Sequence, residues 1–167
     1  MPKNKHSLKE FIPSTITSFL LLIQIIFGLY FLSTINQIDS LAYIGVGLYI
    51  SAGLIFGMLP VFEFRKKGGV KKGKSYIHTT RLVDTGIYSV VRHPQYLTFI
   101  LWAIAGMFLF QNWIIVIIGI PVIPLTYFDL MNADREGIKK FGEAYKQYMK
   151  RVPRANFLLG IIRFLRR

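Results

Sequence analysis

The 167-residue chain has no cysteine, only three histidines and only eight acidic residues. Without cysteine there is no disulfide framework and no thiolate metal site. His6, His78 and His93 are scattered, so a histidine-only metal centre is not expected either, and the sequence assigns no metal. No G-x-G-x-x-G stretch is present, which leaves the usual nicotinamide-dinucleotide fingerprint unmet. Charge itself is missing over long distances. Phe11 to Ile38 is 28 residues without Asp, Glu, Lys or Arg, Ser40 to Phe62 is 23 more, and His93 to Phe128 is 36.

Those uncharged blocks decide the class. Hydrophobic residues make up 53% of the chain and mean hydropathy is +0.43. A hydrocarbon core of roughly 30 Å takes about 20 helical residues, so each of the first two blocks predicts one crossing. As a single helix the third would reach about 54 Å, too long for one crossing, and it is expected to fold back at Gln111-Asn112. The expected fold is all-α: an integral-membrane protein of four transmembrane helices, with a helical extension and an interfacial helix at the C-terminal end. It reads as a single membrane domain over 1–167, with two helices in 11–62, a basic loop in 63–92, a helical hairpin in 93–131 and interfacial helices in 132–167. The first block is longer than a signal-peptide h-region and no small-residue cleavage pattern follows it, so it is read as a span.

The 21 basic residues give a net charge of +13. With four crossings all of them fall on one side, while the other side holds Asp39 and the uncharged Gln111-Asn112. The positive-inside rule then places both termini in the cytoplasm. The basic excess reads as topology and attraction to anionic headgroups, not as nucleic-acid binding.

Several features ask for more than a membrane anchor. Helix two, over about Leu41 to Val61, carries the small-xxx-small pair Gly53 and Gly57, expected to pack closely against a neighbour. Pro94 suits the first position of helix three, and His93 before it is pushed toward extended backbone. Arg92 and His93 therefore stand at a helix start, where amides and the dipole attract a carboxylate or phosphate. Interfacial anchoring is the other reading of the pair. Pro121 and Pro124 should kink helix four. Asp129, in an otherwise apolar stretch, is either a functional carboxylate or a simple helix end at the interface. Beyond it, Ile138, Phe141, Tyr145, Tyr148, Met149 and Val152 form one apolar stripe at helical spacing. After Pro153, "NFLLGIIRFLRR" reads as an interfacial helix.

"RLVDTGIYSVVRHPQYL", followed some forty residues later by "FGEAYKQYMKRVP", resembles the isoprenylcysteine carboxyl methyltransferases and phospholipid N-methyltransferases. The likeness runs from about Thr80 to Pro153. It implies an integral-membrane enzyme that uses S-adenosyl-L-methionine. It also implies cofactor contacts at Leu82, Val83, Tyr88, His93, Pro94 and Tyr96, with Asp134 or the nearby Glu136 standing for the family's acidic pair. In that arrangement the histidine and the helix-start amides would hold the cofactor's carboxylate, an acid its ammonium, and the tyrosines its adenine or sulfonium.

The family's substrate-binding arginine falls at Asp129 here. That reversal tilts the expectation toward N-methylation of an aminolipid, of phosphatidylethanolamine type, with Asp129 and Arg92 as the catalytic candidates. O-methylation of a prenylcysteine-like carboxylate, kept open by Arg92, is the alternative. A sterol-reductase-like enzyme and a non-enzymatic membrane module are more remote readings. The expected partner is a membrane lipid or a lipidated substrate.

Overall fold

Proline and glycine set most of the helix boundaries. In the computed structural model, residues 8–31, 38–69 and 79–166 are described, with side chains from Pro13 onward. The basic segment 70–78, with His78, and the N-terminal Lys3, Lys5 and His6 lie outside the described residues. Among the described residues every regular element is helical: α1 (Leu8–Phe31), α2 (Asp39–Ala52), a π-turn (Gly53–Met58), α3 (Leu59–Lys67), a 3₁₀ turn (Gly86–Ser89), α4 (Pro94–Phe110), α5 (Trp113–Gly119), α6 (Val122–Phe141), α7 (Glu143–Arg151) and α8 (Phe157–Leu165).

Three stretches are long and apolar enough to cross a membrane: Pro13–Phe31, Asp39–Lys67 and Trp113–Phe141. A fourth, α4, has 17 residues, at the short end of the spanning range. The fold-back occurs where the sequence places it. Gln111 takes φ 48°, and the Asn112 side chain caps α5 by accepting from the Ile114 amide. The kink expected from the prolines is a break at Ile120-Pro121, between α5 and α6.

Two features differ from expectation. The Gly53–Gly57 pair lies in the π-turn, and Gly57 makes no close helix contact: a Cβ there would meet the Thr98 side chain and the Ala52 carbonyl at ordinary van der Waals distance. Pro60 lacks the amide that would bond one turn back, and its ring would crowd the Phe56 carbonyl, so the helix widens just before it. Helix four also does not run on unbroken. Gly142, at φ +58°, separates α6 from α7, yet the whole predicted stripe still packs into one core.

The chain divides into two compact units, 1–49 with 99–132 and 50–98 with 133–167. In the first, the Gln24 side-chain amide on α1 donates to the carbonyls of Ala103 (3.0 Å) and Ile115 (3.2 Å). Gly106 and Gly119 leave room for it, since a Cβ at either would press on that amide. The close backbone approach of α2 is made by Gly45, against Ala105 and Leu109. Trp102 donates to the Tyr49 carbonyl (3.0 Å) and stacks on its ring. An apolar cavity of about 500 Å³ lies in this unit, lined in part by Leu21, Tyr49, Phe99 and Trp102.

In the second unit Val83, Tyr88, Tyr145, Tyr148 and Val152 form the buried core. Tyr148 donates its hydroxyl to the Tyr88 carbonyl at 2.6 Å. Val152, held extended before Pro153, turns the chain back past the start of α4. There the Arg92 and His93 amides donate to the carbonyls of Pro153 (3.0 Å) and Arg154 (3.2 Å). The chain then enters α8, which is amphipathic, with Leu158, Ile161, Ile162 and Leu165 exposed. Its Gly160 lies on Val90: a Cβ there would collide with the Val90 carbonyl oxygen, a backbone atom that cannot step aside. Gly160→Ala should therefore destabilise by about 1–3 kcal/mol. Thermal unfolding in detergent checks this, and an unchanged melting temperature would mean that α8 is not docked through Gly160.

Candidate functional site

The start of α4, the second half of α6, α7 and the extended segment after it all lie in the second unit and converge on one carboxylate. Asp134 is 3% exposed. Its Oδ2 accepts from Arg154 Nε (2.7 Å) and Arg92 Nη2 (3.2 Å). Its Oδ1 accepts from the Tyr145 hydroxyl (3.0 Å) and meets His93 Nε2 at 2.7 Å. Because a carboxylate only accepts, His93 carries its proton on Nε2, which leaves Nδ1 as an acceptor. The His93 pKa lies below the ordinary imidazole range. Burial is the main cause, Asp134 opposes it, and the charges of Arg92 and Arg154 add to it. A neutral imidazole is thus held in place by Asp134. Burial, and then the Asp134 carboxylate, push the Tyr145 hydroxyl well above the usual phenol range, so it remains a donor.

Arg92 is the unbalanced member. It is 8% exposed, and only its Nη2 is bonded; Nε and Nη1 are buried with no hydrogen-bond partner among the described residues. The cluster therefore sets two guanidinium charges against one carboxylate. Beside it is a cleft of about 90 Å³ lined by Phe64, Tyr88, Arg92, His93, Pro94 and Tyr96 among others. Phe64 and Tyr88 stack at 4.5 Å between ring centroids, and Tyr96 meets the His93 ring edge-on at 6.0 Å. Drug-sized ligands occupy roughly 300–1,000 Å³, so in this conformation the cleft takes the end of a ligand and not the whole of one.

Of the residues singled out on sequence, Arg92, His93, Pro94, Tyr88, Tyr96 and Asp134 come together here. Leu82 and Val83 pack in the core with Tyr88. Glu136 pairs with Lys139 one turn later on α6 and is absent from the cluster. Asp129 belongs to the first unit, where its Oδ2 accepts from the Ser14 hydroxyl at 3.1 Å. One expectation is corrected: the helix-start amides of Arg92 and His93 are not open to an anion, because the returning segment's carbonyls take them. The donors left for an anion at these two residues belong to the Arg92 side chain. Tyr145 and Arg154 are members that sequence reading assigned elsewhere, to the apolar stripe and to the lipid-attracting charge. Pro153, which forces the return, was the available signal.

Residues 73–135 match the isoprenylcysteine carboxyl methyltransferase (ICMT) family. Among curated proteins, a protein-S-isoprenylcysteine O-methyltransferase of Schizosaccharomyces pombe is 26% identical over 137 residues, covering 76% of this chain and 52% of that protein. Protein-S-isoprenylcysteine O-methyltransferase B of Arabidopsis thaliana is 28% identical over 98 residues, 53% of this chain and 50% of that protein. The chloroplastic 15-cis-zeta-carotene isomerase of Zea mays is 26% identical over 117 residues, 69% of this chain and 31% of that protein. The chain spans about half the length of the two methyltransferases. No solved structure matches it significantly. These relatives bear out the isoprenylcysteine half of the resemblance and give no support to the phospholipid half. With RHPQY at the head of α4 and the matched segment ending just past Asp134, the chain is similar over residues 73–135 to the isoprenylcysteine carboxyl methyltransferase family.

Proposed function

We propose that the protein is a membrane methyltransferase that uses S-adenosyl-L-methionine to O-methylate the carboxylate of a lipid-borne, prenylcysteine-like acceptor at the cytoplasmic interface. The observation that carries this reading is the buried Arg92 guanidinium with two unpartnered nitrogens. Leaving a buried donor unmade costs about 1–3 kcal/mol, more when the group is charged, and a carboxylate removes that cost. The excess positive charge of the cluster disfavours an ammonium acceptor. It supports the carboxylate branch over the aminolipid branch suggested by Asp129, and the names of the methyltransferase relatives agree.

The residues around the cleft fit the cofactor in kind: aromatic faces at Tyr88 and Tyr96 suit an adenine or a sulfonium, and His93 Nδ1 offers an acceptor. When bound, S-adenosyl-L-methionine supplies an electrophilic methyl group on sulfur. The chain's own work is positional. Asp134 fixes the tautomer and orientation of His93, Arg154 and Tyr145 hold Asp134, and Arg92 orients the acceptor carboxylate; Leu82 and Val83 back the Tyr88 wall. Such alignment, with water kept out, lowers a displacement barrier without any proton transfer. This assigns Asp134 a positioning role in place of direct contact with the cofactor's ammonium, since its oxygens are already occupied by four partners.

Thermal unfolding tests the cofactor half. S-adenosylhomocysteine at about 1 mM should raise the melting temperature of the purified protein by several degrees, and His93→Ala should lose most of that rise while still unfolding cooperatively. No rise in the wild type would overturn the methyltransferase reading. An undiminished rise in His93→Ala would remove histidine from the cofactor site.

A further inference from the structure

Inside the first unit, α1 and α6 each present polar residues at a spacing of three, which puts them on one helical face. On α1 these are Ser14 and Thr17; on α6 they are Thr126 and Asp129. The hydroxyl of Ser14 bonds Asp129 Oδ2 at 3.1 Å, and deeper in the unit Leu21 of α1 and Val122 of α6 share one buried cluster. By helical spacing, Thr17 and Thr126 fall between these two contacts, one turn from Ser14 and Asp129. Both are fully buried, and neither hydroxyl has a hydrogen-bond partner among the described residues. Asp129 is 3% exposed and makes no ion pair among the described residues.

A buried carboxylate with no counter-charge and two buried hydroxyls with no partner among the described residues are costly together in an apolar span. A water molecule would satisfy the hydroxyls but leave the charge. A proton on Asp129 would remove the charge but supply at most one donor. A monovalent cation answers both needs, because carboxylate and hydroxyl oxygens are hard ligands and a single positive charge cancels a single carboxylate. Among the described residues no group of three or more His, Cys, Asp or Glu side chains exists, so the donor set suits neither a transition metal nor a divalent ion. Asp129 lies about 24 Å along the helical run from Trp113.

We propose that Ser14, Thr17, Thr126 and Asp129 form an intramembrane site for one monovalent cation of Na⁺ type, which ties α1 to α6. The proposal is independent of the methyl-transfer reading. The test is thermal unfolding of the full chain in detergent at fixed pH, with NaCl exchanged for choline chloride at constant ionic strength. The melting temperature should rise with Na⁺ and saturate, by about 5 °C in all. Asp129→Asn should show no such rise. Thr17→Val and Thr126→Val, which keep shape and lose one ligand each, should need about tenfold more Na⁺ to reach half of it; they also carry the test if Asp129→Asn does not fold. Equal melting temperatures in the two salts would overturn the site. So would a rise that persists in all three variants, which is a general salt effect.

Discussion

Asp134→Asn should lower the melting temperature by about 10 °C. Asp134 is the carboxylate to which Arg92, Arg154 and His93 are all bonded, and it is almost wholly buried. Taking one partner from a buried ion pair costs about 3–5 kcal/mol, because the remaining charge stays desolvated. Here two guanidiniums would be left facing each other. In a chain of this size each kcal/mol moves the midpoint by about 2–4 °C. Glu136→Gln is the control, two residues along the same helix. Its carboxylate meets the largely exposed Lys139, and the change should stay within about 0.5 kcal/mol. A double-mutant cycle of Asp134→Asn with Arg154→Gln should show coupling of about 2 kcal/mol. If Asp134→Asn unfolds within about a degree of the wild type, Asp134 does not anchor these cations, and the positioning role assigned to it fails.

The sequence showed the spans and the turn between α4 and α5 because both rest on local rules: uncharged length, a polar pair between apolar runs, and proline's missing amide. The RHP trio was legible for the same reason, since Pro94 marks a helix start wherever the rest of the chain goes. Two things were not legible. The first was the occupation of the helix-start amides, which depends on a carbonyl pair some sixty residues away returning alongside. The second was the charge balance at Asp134. Arg154 looks like any other interfacial arginine until Pro153 turns it inward, and Tyr145 reads as one more apolar position until its hydroxyl meets the carboxylate. Asp129 stood out as an acid in an apolar stretch, either functional or a helix end, but its partner on α1 could not be named without the helix register. Local chemistry could be read from the chain, and long-range pairing could not.

With labelled S-adenosyl-L-methionine, the purified protein should methylate a prenylcysteine acceptor in clear preference to phosphatidylethanolamine. Arg92→Gln should cut kcat/KM for that acceptor by about 10²–10³-fold, the loss expected when a buried hydrogen-bonded charge contact of about 3–4 kcal/mol is removed. Most of the change should appear in KM if Arg92 holds the carboxylate equally in ground and transition states, and in kcat if the contact tightens as the methyl group moves. Arg92→Lys keeps the charge but has no planar fork, so it should recover part of the loss and not all. The shift caused by S-adenosylhomocysteine should survive both substitutions, which separates an acceptor-binding arginine from a collapsed cofactor site. Preference for phosphatidylethanolamine would return the reaction to the amine branch. Unaltered kinetics in Arg92→Gln would leave the two unpartnered nitrogens without a role in the reaction and remove the observation on which the carboxylate reading rests.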